Sequence, residues 1–400
     1  MELRQRYVDA LCREMTMRSE PADSRGHGSI ATIYLGGGTP SQLPADLLDR
    51  IFTAIYNIYK VEADAEVTIE VNPDDVTPEF AALLSRLPVN RVSMGAQTFD
   101  DRRLRFLHRR HTAGQVGQAV QRLRQAGIAN ISVDLMYGFP GETLADWRHD
   151  IQEAIALDVE HLSAYCLIVE EGTALYEKIK KYKNKKIKNS DAEKTRNSDA
   201  EKIKNYEKEN INNPDADGGC EAMSECDEEL ERAMFYMLKD SLEAAGYEHY
   251  EISNYARITP PRGHDARQRP SLRSRHNSSY WEGTPYIGLG AAAHSYDGQA
   301  RQWNVSDIRQ YIEAIESGRL PAEREELDPD TRYNDCITVA LRTREGLSLD
   351  ALTARHRAHC LREARRYIDS GLLQLAGQRL SLTREGLFVS DMVMADLMIV

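Results

Sequence analysis

The 400-residue sequence predicts an α/β fold: repeated βα units on a parallel sheet, followed by a smaller, mainly helical domain. Three observations predict it. From Ile30 to Ile168, short apolar runs rich in β-branched residues alternate with amphipathic helical patterns over short connections, which is the signature of a parallel sheet, barrel or doubly wound. The alternation breaks at about Lys178 in a polar tract. It resumes near Glu229 and gives way after about Asp330 to helices with a single hairpin.

Each element has a local reason. Leu3, Tyr7, Leu11 and Met15 recur every four residues, which predicts an amphipathic helix almost from the first residue. A strand over 30–35 runs into Gly36-Gly-Gly-Thr-Pro-Ser41 and then a helix over 43–59. A strand over 67–71 precedes a helix opened by Thr77-Pro78-Glu79, with Thr77 as cap and Pro78 in the first turn. A strand over 91–95 precedes helices over 101–108 and 113–126, the second stopped by Gly127. A strand over 131–136, a helix over 144–157 and a strand over 161–168 complete the series. Beyond the tract, 229–245 reads as a helix and 247–255 as strand-like. Helices are predicted over 333–344, then as a pair over 347–356 and 361–370. A hairpin over 372–382 and a final helix over 384–398 give the C-terminal part the look of a winged helix.

The tract over 178–228 has its own character. It opens with a lysine-rich run, and Asn189-Ser-Asp-Ala-Glu-Lys returns eight residues later at Asn197. Such composition cannot bury enough apolar surface to offset its ordering entropy, which predicts a disordered insertion or a basic docking arm. The predicted organisation is therefore 1–177, the insertion, 229–325 completing the sheet, and 326–400 at the C-terminus.

Composition excludes several classes. The net charge of −12 and the lack of a basic stripe argue against nucleic-acid binding, and hence against a DNA-reading role for the winged helix. No apolar run approaches the ~18–20 residues of a membrane span, which leaves room only for peripheral membrane contact. The charged N-terminal residues do not form a signal peptide, so a cytoplasmic protein is expected. The six cysteines, Cys12, Cys166, Cys220, Cys226, Cys336 and Cys360, show no C-x₂-C or C-x₃-C spacing and no disulfide framework.

Polar residues stand at the predicted strand ends: Thr39, Glu70, Asn72, Gln97 and Asp134. In parallel α/β folds ligands bind at the carboxyl ends of strands, so these residues predict one polar pocket beside the glycine turn. A single polar residue there is commonly a cap; four strands doing so in sequence favour a ligand.

Gly36-Gly-Gly-Thr-Pro-Ser41, Ile69-Glu-Val-Asn-Pro73, Arg91-Val-Ser-Met-Gly-Ala-Gln97 and Asp134-Leu-Met-Tyr-Gly-Phe-Pro-Gly141, in this order, resemble the oxygen-independent coproporphyrinogen III oxidase-like radical SAM family. The resemblance covers nearly the whole chain outside 178–228. It implies a partial (β/α) barrel of the radical SAM type with a C-terminal helical, winged-helix-like domain. It also implies that Gly37, Gly38 and Thr39 contact the methionine end of S-adenosylmethionine (SAM), with Glu70, Gln97, Arg109 and Asp134 around its amino acid, sulfonium and ribose. Arg109 lies in the basic run 102–110, where a solvated face would look the same. His276-Asn-Ser-Ser-Tyr-Trp281 resembles the HNxxYW motif of the HemW branch, whose members bind heme as chaperones. This implies heme contacts at His276, Asn277, Tyr280 and Trp281, with His294 facing the same mouth after Gly288-Leu-Gly290. A loop histidine with aromatics in the core would give the same string. The alternative activities are coproporphyrinogen III oxidation and simple heme or SAM binding.

The family also implies a [4Fe–4S] cluster held by C-x₃-C-x₂-C after a first strand. That motif is absent from this sequence. The expectation is a sequence that begins downstream of the cluster loop, has no metal ligands of its own, does not cleave SAM and leaves an exposed sheet edge. The partners expected are heme or a porphyrin and an unidentified heme-accepting protein.

Overall fold

The computed structural model describes residues 2–19, 28–168, 227–258 and 272–400, with a few positions between 170 and 180. Nearly all of the predicted insertion, with Cys220 and Cys226, lies outside the described residues. After helix α1 (Glu2–Ser19), five strands alternate with helices: β1 (Ile30–Leu35), α2 (Ala45–Ile58), β2 (Val61–Val71), α3 (Pro78–Leu84), β3 (Arg91–Gln97), α4 (Asp101–Phe106), α5 (Ala113–Gln125), β4 (Asn130–Tyr137), α6 (Leu144–Ala156) and β5 (His161–Cys166). Helix α7 (Glu228–Ala244) leads into the hairpin β6 (Tyr247–Glu251) and β7 (Asn254–Arg257). Strands β1 to β5 are parallel; β7 joins β5 antiparallel, giving a curled seven-stranded half-barrel in the order β1-β2-β3-β4-β5-β7-β6. The region read as one strand over 247–255 is thus a hairpin that turns at Ile252 and Ser253.

Strand periodicity divides the sheet into two chemistries. One set of alternating residues is apolar and buried: Val67, Ile69 and Val71; Val92, Met94 and Ala96; Ile131, Val133 and Leu135; Leu162 and Ala164. These pack with Leu48 and Phe52 of α2, Val116 and Val120 of α5, and Trp147 and Ile151 of α6. Each such large side chain, fully buried, contributes roughly 1.5–3 kcal/mol. The other set is polar: Thr32 and Tyr34; Glu66, Thr68 and Glu70; Arg91 and Ser93; Ser132 and Asp134; His161 and Ser163. Polar residues stand opposite polar ones, as in Thr68 with Arg91, Ser93 with Ser132 and Asp134 with Ser163. Trp147 also donates Nε1 to the Met234 carbonyl at 3.0 Å, joining α6 to α7.

Helix α8 (Arg275–Trp281) packs on β1. Strands β8 (His294–Tyr296), β9 (Ala300–Asn304) and β10 (Ala322–Glu326) form a small antiparallel sheet, with α9 (Ile308–Glu316) between the last two. Helix α1 serves two cores: Val8 and Met15 enter the main one, while Ala10 packs with Tyr311, Ile312 and Ile315. Its fully buried Glu14 pairs with Arg18 at 2.8 Å and accepts from Gly290 N–H, Asn304 and Tyr311.

The C-terminal part holds α10 (Pro329–Ala340), β11 (Leu347–Ser348), α11 (Ala354–Asp369), β12 (Leu373–Ala376), β13 (Arg379–Leu382), α12 (Arg384–Phe388) and α13 (Ser390–Leu397) around its own core. Helix, short strand, helix and hairpin give the winged-helix-like arrangement. The predicted helix pair is absent, because Leu347 pairs with Leu380 as a strand and Thr353 caps one helix whose interior has no Gly or Pro. The predicted final helix breaks at Val389. Among the described residues, no helix is long and apolar enough to cross a membrane.

Candidate functional site

The glycine turn leaves β1 beside Glu70. A Cβ on Gly36 would stand 2.6 Å from the Tyr34 ring and 2.7 Å from the Glu70 carboxyl, so the turn passes where no side chain fits. Gly37 has φ +75°, and its N–H donates to Glu70 Oε2 at 3.2 Å. Tyr34 donates its hydroxyl to Glu70 Oε1 at 2.7 Å, and burial beside Glu70 raises the phenol's pKa, keeping it a donor. Each Glu70 oxygen thus has one fixed donor and a lone pair to spare. Open space lies over Gly37 and Gly38, and the Thr39 hydroxyl makes no capping bond.

Gln97 and Arg109 meet over Gly95. The β3–β4 register shifts between Gly95 and Gln97, and Gln97 adopts φ 68°, a backbone conformation that costs a non-glycine residue on the order of 1 kcal/mol or more. Arg109 leaves the basic run and turns inward, donating to Asn72 Oδ1 at 2.9 Å and to the Gly95 carbonyl at 3.4 Å; burial lowers its pKa. Its neighbours Arg102 and Arg110 instead pair with Asp100 and with Asp74 and Asp75.

Asp134 lies in the middle of β4 rather than at its end. Burial pushes its carboxyl up to about 6, against hydrogen bonds from Ser163 and Ser93 and with the charge of Glu70 adding to the rise. It faces a cavity of about 180 Å³ shared with Tyr34, Thr68, Glu70, Ser274 and Asn277. The buried Thr68 hydroxyl lines this cavity without a hydrogen-bond partner.

The His276–Trp281 segment is helix α8, not a loop. Ser274 accepts from Asn277 N–H, while Glu66 accepts the N–H groups of Arg275 and His276 at 3.0 and 2.9 Å. His276 Nδ1 meets Thr32 Oγ1 at 3.0 Å. Its ring stacks on Tyr34 at 4.7 Å and 17°, with Tyr280 nearly perpendicular at 5.0 Å. Burial lowers the His276 pKa, with Glu66 opposing, which favours the neutral ring. Arg342 covers the Trp281 ring at 5.5 Å and pairs with Glu251 at 2.8 Å. The structure does not bring His294 to this group: it is exposed and stacks on Trp303. Its glycine turn is instead filled by α1, since a Cβ on Gly290 would stand 2.5 Å from the Tyr7 hydroxyl.

Sequence reasoning missed Thr32, Tyr34, Glu66 and Thr68, although their strict alternation with apolar residues was readable. It also missed Glu142, which accepts the N–H groups of Gly138 and Phe139 and fixes the loop after β4; burial pushes it up to about 7. For a metal cluster the residues do not fit. Cys12 and Cys166 pack against the main core and Cys336 and Cys360 lie in the C-terminal core, and among the described residues no group of three or more His, Cys, Asp or Glu side chains could hold a metal ion.

A half-barrel with a glycine turn at its mouth, joined to a winged-helix-like domain, defines a class. A sequence model of the radical SAM superfamily matches residues 22–154, and one of the HemN C-terminal domain matches 327–389. The fold is similar to that of coproporphyrinogen III oxidase (HemN) from Escherichia coli, with a TM-score of 0.73 at 18% identity over 98% of this chain and 83% of that one. The heme chaperone HemW of Bacillus subtilis (strain 168) is 31% identical over 344 residues, covering 86% of this chain and 76% of that protein. The heme chaperone HemW of Mycobacterium tuberculosis (strain ATCC 25618 / H37Rv) is 29% identical over 394 residues, 98% of this chain and 86% of that protein. The chain belongs to the HemW-like radical SAM family.

Proposed function

We propose that this chain is a heme chaperone of the HemW type that holds SAM in the half-barrel and receives heme at the α8 segment. The observation that carries the reading is similarity over most of the chain to proteins named heme chaperone HemW, in a chain that sets His276, Asn277, Tyr280 and Trp281 on one short helix against the polar face.

The donors and acceptors at the mouth fit SAM. Glu70 has lone pairs for an ammonium, Gly38 and Thr39 offer uncommitted donors for a carboxylate, and Asp134 offers an acceptor for a ribose diol. Gln97 and Arg109 close the pocket from the β3 side. SAM bound there would supply a sulfonium and an adenosyl group. The described residues do not hold a cluster, so cleavage of SAM is not assigned to them.

Equilibrium dialysis with SAM tests the pocket, with Glu70→Gln expected to weaken binding at least about tenfold, the loss of one charge-assisted pair. Titration with hemin tests the other half, with His276→Ala and Trp281→Ala expected to alter the Soret band. Wild-type behaviour in all three variants would defeat the reading.

A further inference from the structure

Two cavities meet at Tyr165. The smaller, of about 180 Å³, is the polar one that Asp134 faces. The larger, of about 680 Å³, lies between the carboxyl end of β5 and the C-terminal part, and Tyr165 lines both. Ordinary ligand pockets occupy roughly 300–1,000 Å³, so the smaller space falls below that range and the larger within it.

Fixed contacts frame the larger space. Arg384 of α12 pairs with Asp240 of α7 at 2.6 Å, and Phe388 packs on Phe235 with ring centroids 6.1 Å apart. The Ile252 N–H donates to the Arg342 carbonyl at 3.1 Å, and Arg342 Nε pairs with Glu251 at 2.8 Å. Phe235, Phe388, Ile252 and Arg342 all line the cavity, and the break between α12 and α13 opens onto it through Leu387 and Ser390.

The lining is amphipathic. Beside the two phenylalanines, Ile168 and Tyr165 stand 78% and 45% exposed, so large apolar surface is left uncovered there. Charge is divided. Glu231 and Asp391 bring carboxylates from α7 and α13, while among the described lining residues Arg342 is the one cation. Glu251 takes its Nε, and a guanidinium carries further N–H donors. The Trp281 ring of α8 lies 5.5 Å from the same guanidinium, so the α8 segment reaches the cavity through Arg342.

We infer that this cavity seats the body of a tetrapyrrole, its rings on the aromatic and aliphatic lining and its carboxylate arms at Arg342, turned away from Glu231 and Asp391. This deepens the functional reading above and rests on it: α8 meets the ligand at the rim, and the cavity holds its bulk. A planar, largely apolar molecule with two carboxylates on one edge matches an aromatic space with a single cation. Because Tyr165 belongs to both cavities, one ring separates this ligand from the smaller pocket.

Hemin titration, with SAM affinity as the check on folding, tests the seat. Ser253→Trp places a large ring in the cavity. Ile168→Glu, at an exposed position, sets a carboxylate against the arms, and neither residue lines the smaller cavity. Each is expected to raise the Kd for hemin at least about tenfold with SAM affinity unchanged. Hemin dimethyl ester, which lacks the carboxylates, is expected to bind the wild type at least about tenfold more weakly than hemin and to be indifferent to Ile168→Glu. If Ser253→Trp also loses SAM, Ile168→Glu and the ester decide. Wild-type hemin affinity in Ile168→Glu, or equal affinity for hemin and its ester, overturns the inference and leaves the functional reading standing. A wild-type protein that binds no hemin overturns both.

Discussion

At 36–38 the chain leaves β1 through three glycines; at 288–290 it passes through Gly-Leu-Gly on the way to β8. In sequence the two turns look alike. In the fold, nothing stands within 4 Å of a Cβ on Gly37 or Gly38, whereas one on Gly288 would lie 1.9 Å from the His294 carbonyl oxygen. The N–H of Gly290 is taken at 2.8 Å by Glu14, 276 residues away. Gly37 and Gly38 therefore stand under open space, whereas the second turn is closed by the protein's own chain. A glycine motif gains functional meaning from what the rest of the fold leaves above it.

Substitutions can break or sharpen this contrast. Glu14→Ala should have the largest effect, because it removes the carboxylate paired with Arg18 and leaves the buried Gly290 N–H and Tyr311 hydroxyl without their acceptor; a loss of about 3–5 kcal/mol is expected in denaturant unfolding, with SAM affinity unchanged if measured below the transition. Gly288→Ala should cost about 3 kcal/mol through its clash with backbone. Asp134→Asn tests the open side. The Asp134 carboxyl ionises near 3.8 in the unfolded chain but at about 6 in the fold, so its contribution to stability is complete below about 4 and is lost as pH rises through 6. The uncharged variant should therefore gain on the wild type between pH 5 and pH 8, by on the order of 2 kcal/mol, in melts across that range. Gly37→Ala should cost about 1 kcal/mol for its φ of +75°. Gly38→Ala should change stability by under about 0.5 kcal/mol yet weaken SAM binding, and a large stability loss there would erase the contrast.

Much of the half-barrel was legible because its signals are local. Apolar β-branched runs, caps such as Thr77 and stops such as Gly127 act within a few residues. The polar inner face was legible too, in Val67-Thr-Ile-Glu-Val71 and Ile131-Ser-Val-Asp-Leu135, but strands whose other face is fully covered read first as apolar runs. That is why Asp134 looked like a strand-end residue. The meeting of Thr32 and His276, 244 residues apart, has no local signal at all. Neither does the exposed position of His294, which follows from α1 claiming the turn before it. In the C-terminal part, two helices were read where Thr353 starts one, because the short strand at Leu347 exists only through its pairing with Leu380.

The hydrogen bond from Trp147 to Met234 carries a consequence for the gene. It fastens the helix before β5 to the helix that leads into the closing hairpin, so the half-barrel's continuity does not pass through the residues between them. Each doubling of a connecting segment costs only about 0.6 kcal/mol in closure entropy. The repeated Asn-Ser-Asp-Ala-Glu-Lys therefore sits at a point where duplication or deletion of codons leaves both flanks joined.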